Sequence, residues 1–206
     1  MTLAVVVGTG TGVGKTTLTA SILRALRPLD PLGWKPIETG SEADETALAE
    51  ACGRREPALY RFDAPISPHL AARREGKTIA LERIVQRAAQ LRSEGPLLLE
   101  TAGGLFSPLD DDGNTNAELA QRLRPETLLL VAPNRLGVLH DVEACLRGAR
   151  HLAFDGLVLT HPAKVDASTD SNSEELRRRT RLPVYEVFLP EIGAPMVEWI
   201  RERLRG

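Results

Sequence analysis

Six short apolar runs without polar alternation narrow the fold of this chain more than any other feature. They are Leu3–Thr9, Gly33–Ile37, Pro96–Thr101, Thr127–Ala132, Asp155–Thr160 and Pro183–Val187. A strand loses its period-two pattern when helices cover both faces of a parallel sheet. Helical patterns separate the runs, at Lys15–Leu26, Asp44–Ala51, Leu81–Arg92, Asn116–Leu123, Leu139–Leu152, Asn172–Thr180 and Pro195–Leu204. Thr115 with Glu118, and Ser171 with Glu174, have the spacing of capping boxes that start helices. This rhythm predicts an α/β fold, a doubly wound and mostly parallel sheet with helices on both faces. No repeat, low-complexity tract or linker divides the chain, so a single domain over residues 1–206 is expected.

Ligands of such sheets bind beyond the carboxyl ends of the strands, so the residues that follow each run carry the chemistry. After the first run comes "GTGTGVGKTT", Gly8–Thr17. Its glycines let backbone N–H groups, including those of Gly12, Val13 and Gly14, close on an anion. Lys15 can reach the outer phosphates of a nucleoside triphosphate, the Thr16 hydroxyl can bind Mg²⁺, and Thr17 continues the helix N-terminus. Five residues separate Gly8 from Gly14 where the usual phosphate loop has four.

The second run ends "KPIETGSEADETAL". Lys35 lies within the expected strand and reads either as a cation aimed into an anionic site or as a snorkelling edge lysine. Asp44 opens the next helix pattern, as a Mg²⁺ ligand or as an acid favoured by the helix dipole. Glu100 closes a third run just before Gly103-Gly104, where nucleotide hydrolases hold Mg²⁺. Thr16, Asp44 and Glu100 together are expected to form an oxygen shell for Mg²⁺, whereas Asp110-Asp111-Asp112 reads as a solvated loop. Of 26 basic residues only Lys15, Lys35, Lys77 and Lys164 are lysines, so a compact ammonium at positions 15 and 35 invites a specific reason.

The remaining composition narrows the partners. A net charge of −2 gives no expectation of nucleic acid or an anionic membrane. Cys52 and Cys145 are too few for a disulfide framework, and no metal-type cysteine spacing exists. With no membrane-length apolar run and no leader pattern at the N-terminus, a cytoplasmic protein is expected.

Five blocks in order resemble the dethiobiotin synthetase family of P-loop ligases. They are "GTGTGVGKT", "KPIETG", "APISPHLAARREG", "LLLETAGGLFSPL" and "RLGVLHDV". The resemblance implies that ATP and CO₂ (or bicarbonate) close a cyclic urea on 7,8-diaminononanoate, through a carbamate and a carbamic-phosphoric anhydride. It implies Lys15 at the γ-phosphate and Lys35 on the carbamate. Thr11, Thr39 and Ser41 would lie beside the diamine and carbamate. The amides of Leu136, Gly137 and Val138 would receive the substrate carboxylate at a homodimer interface.

The chain departs from the family at Gly10, where an acid is usual, at Thr101, which replaces a glycine, and at "LHDV". In "LVLTHPAKVD", Thr160 and His161 occupy the place of an asparagine that reads the adenine edge. Thr160 is thus the expected base contact, and His161 is either a second one or a turn histidine. His69 is expected to pack the substrate region. Two other readings compete with a ligase: a P-loop ATPase switch of the ParA and MinD kind that positions partner proteins, and a nucleotide-binding module without catalysis.

Overall fold

A computed structural model describes residues 2–162 and 164–205. Met1, Ala163 and Gly206 lie outside it, within the expected 1–206 domain and, for Ala163, within "LVLTHPAKVD". The strand β1 (Leu3–Gly8) leads to α1 (Lys15–Ala25) and a 3-10 turn at Arg27–Leu29. There follow β2 (Leu32–Trp34), β3 (Ile37–Thr39), α2 (Ala43–Cys52), β4 (Tyr60–Phe62), α3 (Pro68–Arg74) and α4 (Leu81–Glu94). The second half runs β5 (Leu97–Glu100), α5 (Asn116–Leu123), β6 (Thr127–Pro133), α6 (Val138–Gly148), β7 (Gly156–Thr160), α7 (Thr169–Thr180), β8 (Val184–Val187) and α8 (Ala194–Arg205).

Six strands form one parallel sheet in the order β2-β5-β1-β6-β7-β8. The apolar runs are continuous because both faces are covered. Leu3, Val5 and Val7 pack with residues of α4, α5, α6 and α7, whereas Ala4 and Val6 pack with α1, α2 and α8. Burying each such aliphatic side chain contributes about 1.5–3 kcal/mol, which a polar residue in alternation would forfeit.

The strand expected over Gly33–Ile37 is two strands. Pro36 has no N–H for a ladder and breaks the run, so β2 joins the main sheet and β3 pairs with β4 in a separate two-stranded sheet. Lys35 therefore sits in the break just after β2 rather than inside a strand. Thr115 and Glu118 do form a capping box. Ser171 does not, because α7 begins two residues earlier, at Thr169, and Ser171 Oγ donates to the Ser168 carbonyl instead (3.0 Å). The strand β4 and helix α3 lie where no element was expected.

Strand β1 is the switch point of the sheet. Helix α1 leaves it toward one face, while the segment after its neighbour β5 leads to α5 on the other. The two loops part and leave a crevice at the carboxyl end of β1, the place where open α/β sheets bind ligands.

Candidate active site

The glycine-rich loop turns into α1 through Gly14, whose φ of 91° lies in the left-handed region. A Cβ there would lie 3.1 Å from both Thr160 Cγ2 and Leu189 Cδ1, so strand β7 and the segment after β8 press directly against the loop. Among the described residues no backbone carbonyl takes the N–H groups of Gly12, Gly14 or Lys15. They remain available to an anion at the positive end of α1.

Thr11, Gly12, Gly14, Lys15, Thr16, Thr17, Lys35, Asp44, Glu100 and Gly103 line one cavity of about 420 Å³. Lys15 and Lys35 are both buried, at 6% and 8% exposure, and still present their ammonium groups to it. Lys15 Nζ donates to the Gly10 carbonyl at 3.1 Å. Lys35 pairs closely with Asp44 and lies 3.4 Å from Glu100 Oε1. Glu100 also accepts from the Thr16 hydroxyl at 2.6 Å. Its second oxygen, Oε2, is buried and has no hydrogen-bond partner among the described residues.

The two ammonium groups titrate differently. Burial lowers the Lys15 pKa, and Glu100 and Asp44 offset this only in part while Lys35 adds to it. Burial acts on Lys35 as well, but Glu100, Asp44 and Glu38 together outweigh it and raise its pKa. One site therefore holds a firmly charged lysine beside one more easily discharged.

Other residues named from sequence lie elsewhere. Thr39 is in β3 opposite Phe62, Ser41 is exposed, and neither lines the cavity. Val13 is buried, and its carbonyl accepts from the Thr160 hydroxyl at 2.9 Å. The Thr160 hydroxyl thus ties β7 to the phosphate loop, with the Ala132 carbonyl also within 3.4 Å of it.

The ring of His161 stacks on Phe188 (centroids 3.8 Å apart), and its Nε2 lies 3.0 Å from a Glu186 carboxylate oxygen. His69 lies 3.0 Å from the Ser67 hydroxyl and borders a separate cavity of about 210 Å³ with Lys77 and Asp110–Asp112. The amides expected to receive the substrate carboxylate are largely taken. Leu136 N–H donates to Asp166 at 2.7 Å and Val138 N–H to the Arg135 carbonyl at 3.1 Å. Asp166 thus occupies one of the three amides expected to bind a carboxylate.

A family model described as an AAA domain matches residues 3–191. The ATP-dependent dethiobiotin synthetase BioD of Anaeromyxobacter dehalogenans is 38% identical over 191 residues, covering 85% of this chain and 84% of that one. The protein of the same name in Rhodopirellula baltica is 35% identical, covering 87% and 80%. The chain belongs to the ATP-dependent dethiobiotin synthetase family.

Solved structures outside that family share the fold of this synthetase family member. The hydrogenase maturation factor HypB of Archaeoglobus fulgidus superposes with a TM-score of 0.64 at 17% identity, over 99% of this chain and 90% of that one. A ParA family ATPase of Chlorobium tepidum gives 0.55 at 14% identity, over 90% and 82%.

Two glutamates of the site escaped sequence reasoning. Glu38, in β3, is 2% exposed, and its Oε1 accepts from the N–H groups of Asp44 and Glu45, both at 3.2 Å. Glu45 is buried too and accepts from Arg55 Nε at 2.7 Å, Ala58 N–H at 2.8 Å, and Arg61. The only signal was an acid at a position of "KPIETG" that becomes fully buried.

Proposed function

We propose that this chain is a cytoplasmic, ATP-dependent cyclo-ligase of biotin synthesis, acting as one domain over residues 1–206. Its substrates are 7,8-diaminononanoate, CO₂ or bicarbonate, and ATP. The observation that carries the reading is the convergence of Lys15 and Lys35 with Thr16, Asp44 and Glu100 on one cavity.

In the reaction one amine nitrogen bonds to the carbon of CO₂ and sheds a proton, which gives a carbamate. A carbamate oxygen attacks the γ-phosphorus of ATP, the bond to the β,γ-bridging oxygen breaks, and ADP leaves. The second amine attacks the carbonyl carbon, loses a proton and expels phosphate as the ring closes. Each reacting end is anionic, so the site has to gather positive charge without supplying a nucleophile of its own. The free loop amides and Lys15 hold the β- and γ-phosphates. Lys35 exchanges its carboxylate partners for the carbamate oxygens and then for the mixed anhydride. Thr11 borders the reacting ends within the cavity, with Ser41 and Thr39 nearer the diamine.

Mg²⁺ suits the donor set. The Thr16 hydroxyl, the Asp44 carboxylate and the orphaned Glu100 Oε2 are hard oxygen ligands. Among the described residues no group of three or more His, Cys, Asp or Glu side chains could hold a metal, which leaves phosphate oxygens and water to complete such a shell. When bound, the ion neutralises charge on the phosphates. The base lies beside Thr160 and His161, with Thr160 supporting the loop.

A homodimer is expected, with no nucleic acid or membrane partner. Leu136, two residues before α6, is 75% exposed, and Leu139, His140 and Ala144 of that helix help to line a cavity of about 470 Å³. Among the described residues no helix is long and apolar enough to cross a membrane.

The test supplies purified protein with ATP, Mg²⁺, the diamine and bicarbonate and assays dethiobiotin by mass spectrometry alongside phosphate. Phosphate release that needs both the diamine and bicarbonate, with dethiobiotin formed, supports the ligase. Release stimulated by a protein or DNA partner instead points to the switch, and nucleotide binding with no turnover points to the module.

A further inference from the structure

Helix α2 starts without a cap of its own. Its N-cap residue, Glu42, makes no capping hydrogen bond through its side chain, although Asp44 in the first turn faces the candidate active site. The missing acceptor comes from outside the helix. Glu38 Oε1, on β3, takes the N–H groups of both Asp44 and Glu45. Glu38 is 2% exposed, and its other oxygen has no hydrogen-bond partner among the described residues, so a costly buried carboxylate is retained here as it is at Glu100.

We propose that Glu38 is the positioning residue that sets the Asp44 carboxylate for its metal. The inference rests on the proposed Mg²⁺ shell and extends it one layer outward. Glu38 touches no reacting atom. It fixes the backbone of the residue whose carboxylate meets Lys35, while Glu45 anchors the next position through Ala58, Arg55 and Arg61. Residues that orient metal ligands typically contribute about 10- to 100-fold to metal affinity. The competing role is electrostatic, a negative charge that simply balances Lys35.

Reach and charge can be separated by a pair of conservative substitutions. Glu38→Gln keeps the acceptor oxygen at the same distance and removes the charge. Glu38→Asp keeps the charge but withdraws the oxygen by roughly 1.5 Å, one carbon–carbon bond. The measurement is calorimetric titration with a non-hydrolysable ATP analogue, with Mg²⁺ and with EDTA, so that the metal-dependent gain in affinity is read without turnover. Thermal unfolding of each variant is recorded alongside.

The gain is expected to fall about tenfold in Glu38→Asp and to stay within about twofold of the parent in Glu38→Gln, with EDTA binding alike in all three. The reverse pattern, or an unchanged gain in both variants, overturns the inference. Amide hydrogen exchange on the parent protein gives a second check that needs no variant. The Asp44 and Glu45 amides should be protected despite lying in a helix's first turn, and rapid exchange at both would overturn the cap. A parent protein whose nucleotide affinity ignores Mg²⁺ removes the metal shell itself, and the inference with it. Absence of dethiobiotin beside an intact binding pattern removes only the ligase reading.

Discussion

Two turns in this molecule open their helices in nearly the same way and end with opposite properties. Gly14 before α1 and Gly137 before α6 both sit in the left-handed region, at φ of 91° and 95°, and neither helix has a side-chain cap. Each follows a strand of the same parallel sheet at its carboxyl end. At the first turn no backbone carbonyl among the described residues takes the N–H groups of Gly12, Gly14 and Lys15, and two lysines border the same cavity. At the second, Asp166 takes the Leu136 N–H and the Arg135 carbonyl takes that of Val138. A helix N-terminus is an anion site only when the protein does not fill it first. What separates the two turns is a pair of lysines at the first, and at the second a carboxylate thirty residues away together with a local carbonyl.

The largest effect should come from removing the charge that does not belong to the loop. Lys35→Ala is expected to lower turnover roughly a thousandfold, in the range of a lost transition-state donor, while nucleotide affinity stays within about threefold. Parallel loss of both in calorimetry and steady-state kinetics would place Lys35 on the nucleotide.

Lys15→Ala makes the first turn more like the second. Nucleotide affinity should drop about 100-fold, near the upper range for a charge-assisted hydrogen bond. Unchanged affinity would mean that the loop amides suffice alone.

The two glycines themselves give a matched pair. Alanine at either position pays about 1–2 kcal/mol for the left-handed conformation, visible in denaturant titration. Gly14→Ala also meets Thr160 and Leu189, so nucleotide affinity should fall at least about tenfold, whereas Gly137→Ala meets only the movable tip of Arg135 and should leave it unaltered. Equal effects on nucleotide would erase the distinction.

Asp166→Ala should produce the smallest change. It frees the Leu136 amide, and if the substrate carboxylate docks there the KM for the diamine should fall severalfold while kcat is kept. An unchanged KM would move the carboxylate site elsewhere. The Asp166 carboxyl is held at a pKa of about 2, chiefly by the Ser168 hydroxyl and then by the Leu136 and Ser168 amides. A depressed folded pKa means that its stabilising contribution is present above the ordinary value of 3.8 and is lost as pH falls through about 2. Protection of the Leu136 amide should therefore persist at pH 5 and fade only in strong acid.

Much of this molecule was readable one window at a time. The apolar runs locate all six strands of the main sheet, because a strand buried on both faces cannot hide its composition. The loop from Gly8 to Thr16 is equally local, since glycines, a lysine and a threonine at fixed spacing act within one turn of chain. Thr115 and Glu118 cap α5 as their spacing implies. The windows failed where partners are distant. Pro36 marks a break, but only the pairing of Ile37 with Tyr60 shows that the second half leaves the main sheet. Thr160 is expected at the base, and nothing in its own window shows that its hydroxyl also donates to the Val13 carbonyl, 147 residues away.

By itself, then, the order of residues determined where the six strands of the main sheet and most helices run and that a phosphate loop stands at the sheet's rim, because burial and backbone freedom are set by near neighbours. Tertiary structure alone decided which hydrogen-bonding groups stay open. It brings Glu38 to the amides of α2, Asp166 to the amide of Leu136, and Lys35 to Asp44 and Glu100. A hydrogen bond reaches about 3 Å, and only the folded chain determines which groups come that close.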